Sequence, residues 1–180
     1  MARVVRFHAT GAPEVMQIEQ LEVGAPGAGE LKVKVEAIGL NRAEAMFRAG
    51  AYLEAPVLPA RIGYEASATV LAVGEGVTGY AVGEAISVIP AFSMNAYGIY
   101  ADEAIVPVYA LRKRPAGLSA IEAAGVWMAY LTSWGALIEI AGLKAGEAAI
   151  ITAASSSVGI ASIQTANAVG ATSIAVTRTR

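Results

Sequence analysis

From Thr152 to Gln164 the chain reads T-A-A-S-S-S-V-G-I-A-S-I-Q. An apolar run, Ala148 to Ile151, precedes this stretch, and a segment with helical periodicity follows it. A strand, a tight turn and a helix form the unit that binds a nucleotide pyrophosphate. The helix start offers oriented amides and the positive end of its dipole to the anion. In a Gly-x-Gly-x-x-Gly fingerprint the middle glycine admits the pyrophosphate and the last lets helix and strand pack closely. Aligned on Gly159, the three positions are Ala154, Ser156 and Gly159, so only the packing glycine is kept. Serines at 155–157 suit a phosphate cradle if their φ angles are negative, because each hydroxyl can then donate to a phosphate oxygen. The alternative is that Ser155, Ser156 and Ser157 only cap the helix. Cofactor contact is expected from Ala154, Ser155, Ser156, Ser157, Val158 and Gly159.

About twenty residues beyond the glycines, NAD-preferring sites place an acidic residue on the ribose hydroxyls. Here Thr177 and Arg178 occupy that neighbourhood. A guanidinium can bind a 2′-phosphate through two hydrogen bonds and stack on adenine, which favours NADPH over NADH. The alternative is a solvated arginine.

The elements that must position these residues fall into two styles. The first hundred residues are β-rich, with strands expected at Arg3–His8, Gln17–Val23, Leu31–Ile38, Ala66–Val73, Ala85–Ile89 and Ala104–Leu111. Residues 31–36, L-K-V-K-V-E, alternate as a strand with one wet face should. A short helix is expected at Arg42–Arg48, closed by Gly50. Ser119-Ala-Ile-Glu122 is a capping box, and a long apolar helix should follow it, broken near Thr132-Ser133 and ending around Gly142. The strand Ala148–Ala153, the helix Val158–Val169 and the strand Ser173–Thr177 then make one βαβ unit, with Gly170 just past its helix. One such unit cannot close a parallel sheet with both faces covered. The expected organisation is therefore a β-rich domain over 1–118, then a linking helix and the opening of an incomplete, truncated dinucleotide-binding domain over 119–180.

Composition bounds the function. The chain has 180 residues, 56% hydrophobic and 16% charged, enough to bury a substantial core. A net charge of −2 without a basic block argues against sequence-independent nucleic-acid binding. With no cysteine and one histidine, His8, the chain can form neither a disulfide framework nor a thiolate zinc site. The most membrane-like stretch, 123–142, carries Thr132, Ser133 and Glu139, so a buried or interdomain helix is preferred to a span. A soluble, cytoplasmic protein is expected.

The order of parts resembles the medium-chain dehydrogenase/reductase superfamily, in its zinc-independent quinone oxidoreductase-like branch. The residues that carry the resemblance are 37–41 A-I-G-L-N, 48–52 R-A-G-A-Y, 62–65 I-G-Y-E, 74–77 G-E-G-V with 82–84 V-G-E, 97–101 Y-G-I-Y-A, 131–137 L-T-S-W-G-A-L and the serine loop. The resemblance implies a β-rich GroES-like catalytic domain, an α/β Rossmann domain and, when full length, a homodimer. In zinc-dependent members a Cys, a His and a Cys hold the catalytic metal. Those positions fall here on Asn41, Tyr64 and Met128. An amide, a phenol and a thioether do not make a tetrahedral zinc site that activates an alcohol. No catalytic metal is expected.

What remains is hydride delivery from NADPH to a small electrophilic acceptor such as a quinone, enone, alkenal or enoyl thioester. The protein's task is then to orient the acceptor and stabilise its developing negative oxygen. The resemblance points to Asn41 as an amide donor, Tyr52 as a donor of a hydrogen bond or proton, Tyr64 as a lining residue and Thr132 near the nicotinamide. Each has a plainer alternative: Asn41 as a cap of the Arg42 helix, Tyr52 as a packing lid, Tyr64 as core, Thr132 as a residue that bends its own helix. Two further readings stay open at this point, a non-catalytic relative that keeps the fold and an enoyl-reductase module of a larger synthase.

Overall fold

The computed structural model describes residues 1–178. The chain divides into two compact units, Met1–Gly125 and a second starting at Val126. The boundary expected at 118/119 thus lies a few residues later. The helix capped by Ser119 packs on strands of the first unit, and for that reason it belongs there.

The first unit holds eight strands and two helices. In chain order they are β1 (Ala2–Phe7), β2 (Met16–Leu21), β3 (Glu30–Ile38), α1 (Arg42–Arg48), β4 (Ala60–Arg61), β5 (Ala66–Val73), β6 (Ala85–Val88), β7 (Glu103–Pro107), β8 (Leu111–Lys113) and α2 (Ala120–Ala124). A five-stranded antiparallel sheet runs β7-β3-β5-β6-β8, and a three-stranded one runs β2-β1-β4. The alternation read in residues 31–36 holds: Leu31 and Val33 are buried in the core while Lys34 and Glu36 face outward. Two register shifts in the β3–β5 pairing, at Lys32/Val33 and Val35/Ala37, bend the strand. The core gathers Phe7, Leu31, Val33, Phe47, Ile62, Ile86, Met94, Ile99 and Leu111. The Phe7 and Phe47 rings meet edge to face, 5.9 Å apart.

Two expectations are corrected here. The run Ala104–Leu111 is not one strand, because a 3-10 turn at Val108–Ala110 splits it into β7 and β8. These two pair with β3 and β6 respectively, at the two ends of the strand order, so the chain changes partner within the turn. The long helix expected after the capping box also divides earlier than expected. The capping box itself is complete, with Ser119 accepting from the Glu122 amide and Glu122 from the Ser119 amide. But α2 ends at Ala124, α3 runs Trp127–Trp134, and a π-helical stretch follows at Gly135–Ile140. The break comes at Gly125, a poor helix former, rather than at Thr132-Ser133.

The second unit contains α3, the π-helical stretch, β9 (Ala148–Thr152), α4 (Ser157–Ala168) and β10 (Thr172–Val176). β9 and β10 pair in parallel, from Ala148↔Thr172 to Thr152↔Val176. Gly170, at φ +80°, ends α4 as expected. Among the described residues no helix is long and apolar enough to cross a membrane.

Candidate functional site

In the first unit, α1 and the segment between β4 and β5 bring Asn41 and Tyr64 into one polar network. The Asn41 amide nitrogen lies 3.0 Å from Glu65 Oε1 and 3.4 Å from Glu44 Oε1. The same Glu44 oxygen accepts the Tyr64 backbone amide at 3.2 Å. Asn41 occupies the N-cap position of α1 but makes no side-chain cap bond, so the capping alternative does not hold.

Both carboxylates are buried, Glu44 at 3% and Glu65 at 2% exposure. Burial dominates at Glu44 and holds its carboxyl above the usual value of 4.5, against the hydrogen bonds that favour the charged form. Its second oxygen, Oε2, is buried without a partner. A group that binds its proton more tightly when folded stabilises the fold below its unfolded pKa and loses that contribution as pH rises through the folded pKa. Glu44→Gln keeps the accepting oxygen and removes the buried charge. Its thermal midpoint relative to the parent should therefore rise progressively as pH is raised from 4 to 7. Parallel pH profiles for the two proteins would contradict this.

Tyr64 is buried, with its ring centroid 6.1 Å from Tyr52 and 5.8 Å from Phe92. Burial and a hydrogen bond with Tyr52 push the Tyr64 hydroxyl well above its ordinary range. Tyr64 thus packs among aromatic rings, the plainer of its two expected roles, with a hydroxyl that holds its proton. Tyr52 is half-buried on the loop that follows α1. That loop is pinned by Glu54, which accepts from the Ser93 hydroxyl at 2.5 Å and the Met94 amide at 3.1 Å. Glycines clear the space around this cluster. A Cβ on Gly39 would sit 2.4 Å from Glu65 Oε1, and one on Gly63, at φ +110°, would sit 2.3 Å from the Tyr100 ring. A groove of about 280 Å³ in the same unit is lined by Val5, Ile18, Val35, Ile38 and Tyr100 among others, with no contribution from Asn41, Tyr52 or Tyr64.

In the second unit the serine loop turns sharply into α4. Ser156 is the N-cap, and its hydroxyl accepts the Gly159 amide at 3.0 Å. The capping alternative therefore holds for Ser156. Ser155 and Ser157 are exposed, and the three serines keep negative φ, the condition set for a phosphate cradle. The turn is made at Ala153, which takes φ +49°. That conformation costs a residue with a Cβ about 1–2 kcal/mol. Ala153→Gly should accordingly raise stability by about 0.5–1 kcal/mol, measurable by denaturant unfolding, and a loss of stability would contradict the strain.

Gly159 is the packing glycine in fact, since a Cβ there would lie 2.5 Å from the Ala153 carbonyl oxygen. The Ala154 amide donates to the Val176 carbonyl at 3.3 Å, which ties the loop to the end of β10, directly before Thr177 and the exposed Arg178. Thr132 is exposed, and its hydroxyl bonds back to the Met128 carbonyl at 2.6 Å, the plainer of its two expected roles. Its buried neighbour Ser133, which the sequence did not single out, reaches the Ser162 hydroxyl at 3.0 Å and joins α3 to α4. Among the described residues no group of three or more His, Cys, Asp and Glu is placed to hold a metal ion.

Residues 27–133 match the alcohol dehydrogenase GroES-like domain family. A quinone oxidoreductase from Pseudomonas aeruginosa is 34% identical over 170 residues, and the human quinone oxidoreductase is 32% identical over 171. The chain belongs to the medium-chain dehydrogenase/reductase family, in its quinone oxidoreductase-like group. Both alignments cover 94% of this chain and 51% of the relative, so the chain spans about half the length of these curated relatives. A crystal structure of the Pseudomonas syringae pv. Tomato DC3000 quinone oxidoreductase superposes with a TM-score of 0.92 at 32% identity, covering 99% of this chain and 54% of that one. The GroES-like unit and the βαβ unit together thus align with about half of each of these relatives.

Proposed function

We propose that the full-length protein is a zinc-independent, NADPH-dependent oxidoreductase that reduces a quinone, enone, alkenal or enoyl-type acceptor. The observation that carries this reading is the loop between β9 and α4, where Gly159 admits close backbone packing and a capped helix start follows. Ser156 already occupies the Gly159 amide. The amides of Ser157 and Val158, together with the hydroxyls of Ser155 and Ser157, are then the donors suited to a pyrophosphate. Arg178 supplies the guanidinium suited to a 2′-phosphate. NADPH, when bound, supplies the hydride. Tyr64 holds its proton and Tyr52 offers a hydroxyl beside it, so this pair can orient an acceptor carbonyl by donation. The residues at the metal-ligand positions, Asn41, Tyr64 and Met128, suit no catalytic zinc.

The experiment is a cofactor comparison on the full-length protein. NADPH should bind at least tenfold more tightly than NADH, and Arg178→Ala should erase most of that difference, about tenfold or more for a lost charge-assisted pair. Equal affinity for the two cofactors in the parent would sink the NADPH assignment.

A further inference from the structure

The sequence suggested Asn41 as a donor to the acceptor's oxygen, yet both of its amide protons are already directed elsewhere. An amide nitrogen carries two protons. Here it lies within reach of two carboxylate oxygens, 3.0 Å from Glu65 and 3.4 Å from Glu44. Turning the amide over would set its oxygen 3.0 Å from Glu65 Oε1, acceptor against acceptor, so the hydrogen-bond network fixes the orientation. Glu44 and Glu65 are buried while Asn41 is half-buried. With the nitrogen turned toward the buried side, the planar amide leaves Oδ1 on its open edge. Gly39 keeps the room that Glu65 needs, as its missing Cβ would fall 2.4 Å from Glu65 Oε1.

We propose that Glu65 and Glu44 are positioning residues that lock Asn41 with its nitrogen inward, so that Asn41 meets the bound cofactor or acceptor through its carbonyl oxygen and receives a hydroxyl or amide proton from it. This rests on the placing of Asn41 in the reductase site. It assigns stabilisation of the acceptor's oxygen to groups other than Asn41. It also makes the site selective for a ligand that presents a hydrogen-bond donor at that point.

A polarity swap in the full-length protein tests the inference. Asn41→Asp puts a second oxygen against Glu65, so NADPH binding, read by fluorescence titration, should worsen at least tenfold. Adding Glu65→Gln gives the inward oxygen a donor again while the outward oxygen remains an acceptor. The double variant should recover to within about threefold of the parent in the same constant. A double variant no better than Asn41→Asp alone would overturn the locked polarity. If Asn41→Leu binds and turns over like the parent, Asn41 is outside the site, and the underlying reading fails instead. A measurement on the parent alone gives a second check should the aspartate variant not fold. By 15N NMR the Asn41 side-chain amide protons should exchange at least tenfold more slowly than those of the exposed Asn167, and equal rates would overturn the lock.

Discussion

Replacing Gly159 with alanine should abolish most NADPH binding and lower stability by about 1–3 kcal/mol, the usual range for an overpacked core position. The new Cβ would fall 2.5 Å from the Ala153 carbonyl oxygen, 2.7 Å from Ala154 Cα and 2.8 Å from the Ala154 carbonyl carbon. All three are backbone atoms, so no side chain can swing away. The loop itself has to move, and its bonds are the ones that shape the site. Ser156 donates its amide to Ala153 at 2.9 Å, and Ala154 donates to Val176 at 3.3 Å. Shifting either changes the start of α4 and its distance from the end of β10 together. Gly135→Ala is the control, because a Cβ there meets nothing within 4 Å and alanine is the better helix former. Calorimetry of the two variants and a fluorescence titration with NADPH should separate them. Parent-like melting and parent-like NADPH binding in Gly159→Ala would contradict the close approach.

Gly39→Ala should have the second-largest effect, this time in the first unit. Its Cβ would meet the Ala124 carbonyl oxygen at 2.3 Å as well as Glu65 Cγ and Oε1, each at 2.4 Å. Glu65 can retreat only by leaving Asn41, and the carbonyl of α2 cannot retreat without lifting that helix off β3 and β5, on which it packs. The Gly39 carbonyl also accepts the Tyr100 hydroxyl at 3.1 Å, so the strain spreads to a second tyrosine beside the site. A loss of about 1–3 kcal/mol is expected, accompanied by a fall in acceptor turnover. Gly117→Ala, with open space around its Cβ and an unstrained φ, should stay within about 0.5 kcal/mol of the parent. If Gly39→Ala and Gly117→Ala unfold alike, the crowding around Glu65 is not as described.

Local patterns made much of this architecture legible. Ala66–Val73 and Arg42–Arg48 fall where alternation and helix stops put them, and the Ser119 capping box is complete. Elements set by distant partners were not legible. β4 is two residues long and exists because Ala60 and Arg61 pair with Phe7 and Arg6 of β1, which no local period could announce. The division of β7 from β8 depends on which edge of the sheet each joins.

The candidate site divides in the same way. Gly159 and the capping serine could be read from spacing, because a helix start is a local device. The carboxylate pair behind Asn41 could not, since Glu65 comes from a segment 24 residues away. One signal for Glu44 was available: it stands three residues before Phe47, on the buried face of α1. A carboxylate on an apolar helix face asks for a partner. The positive φ of Ala153 left no trace in sequence, because alanine is not a residue that forecasts it.

The most direct test of the central claim is acceptor-dependent oxidation of NADPH by the full-length protein after exhaustive treatment with a zinc chelator. With 1,4-benzoquinone and an enone as acceptors, turnover should persist undiminished after chelation, and NADPH should outperform NADH at least tenfold in kcat/KM. Turnover that vanishes with the chelator and returns with zinc, or no turnover with any quinone, enone or alkenal, would contradict it.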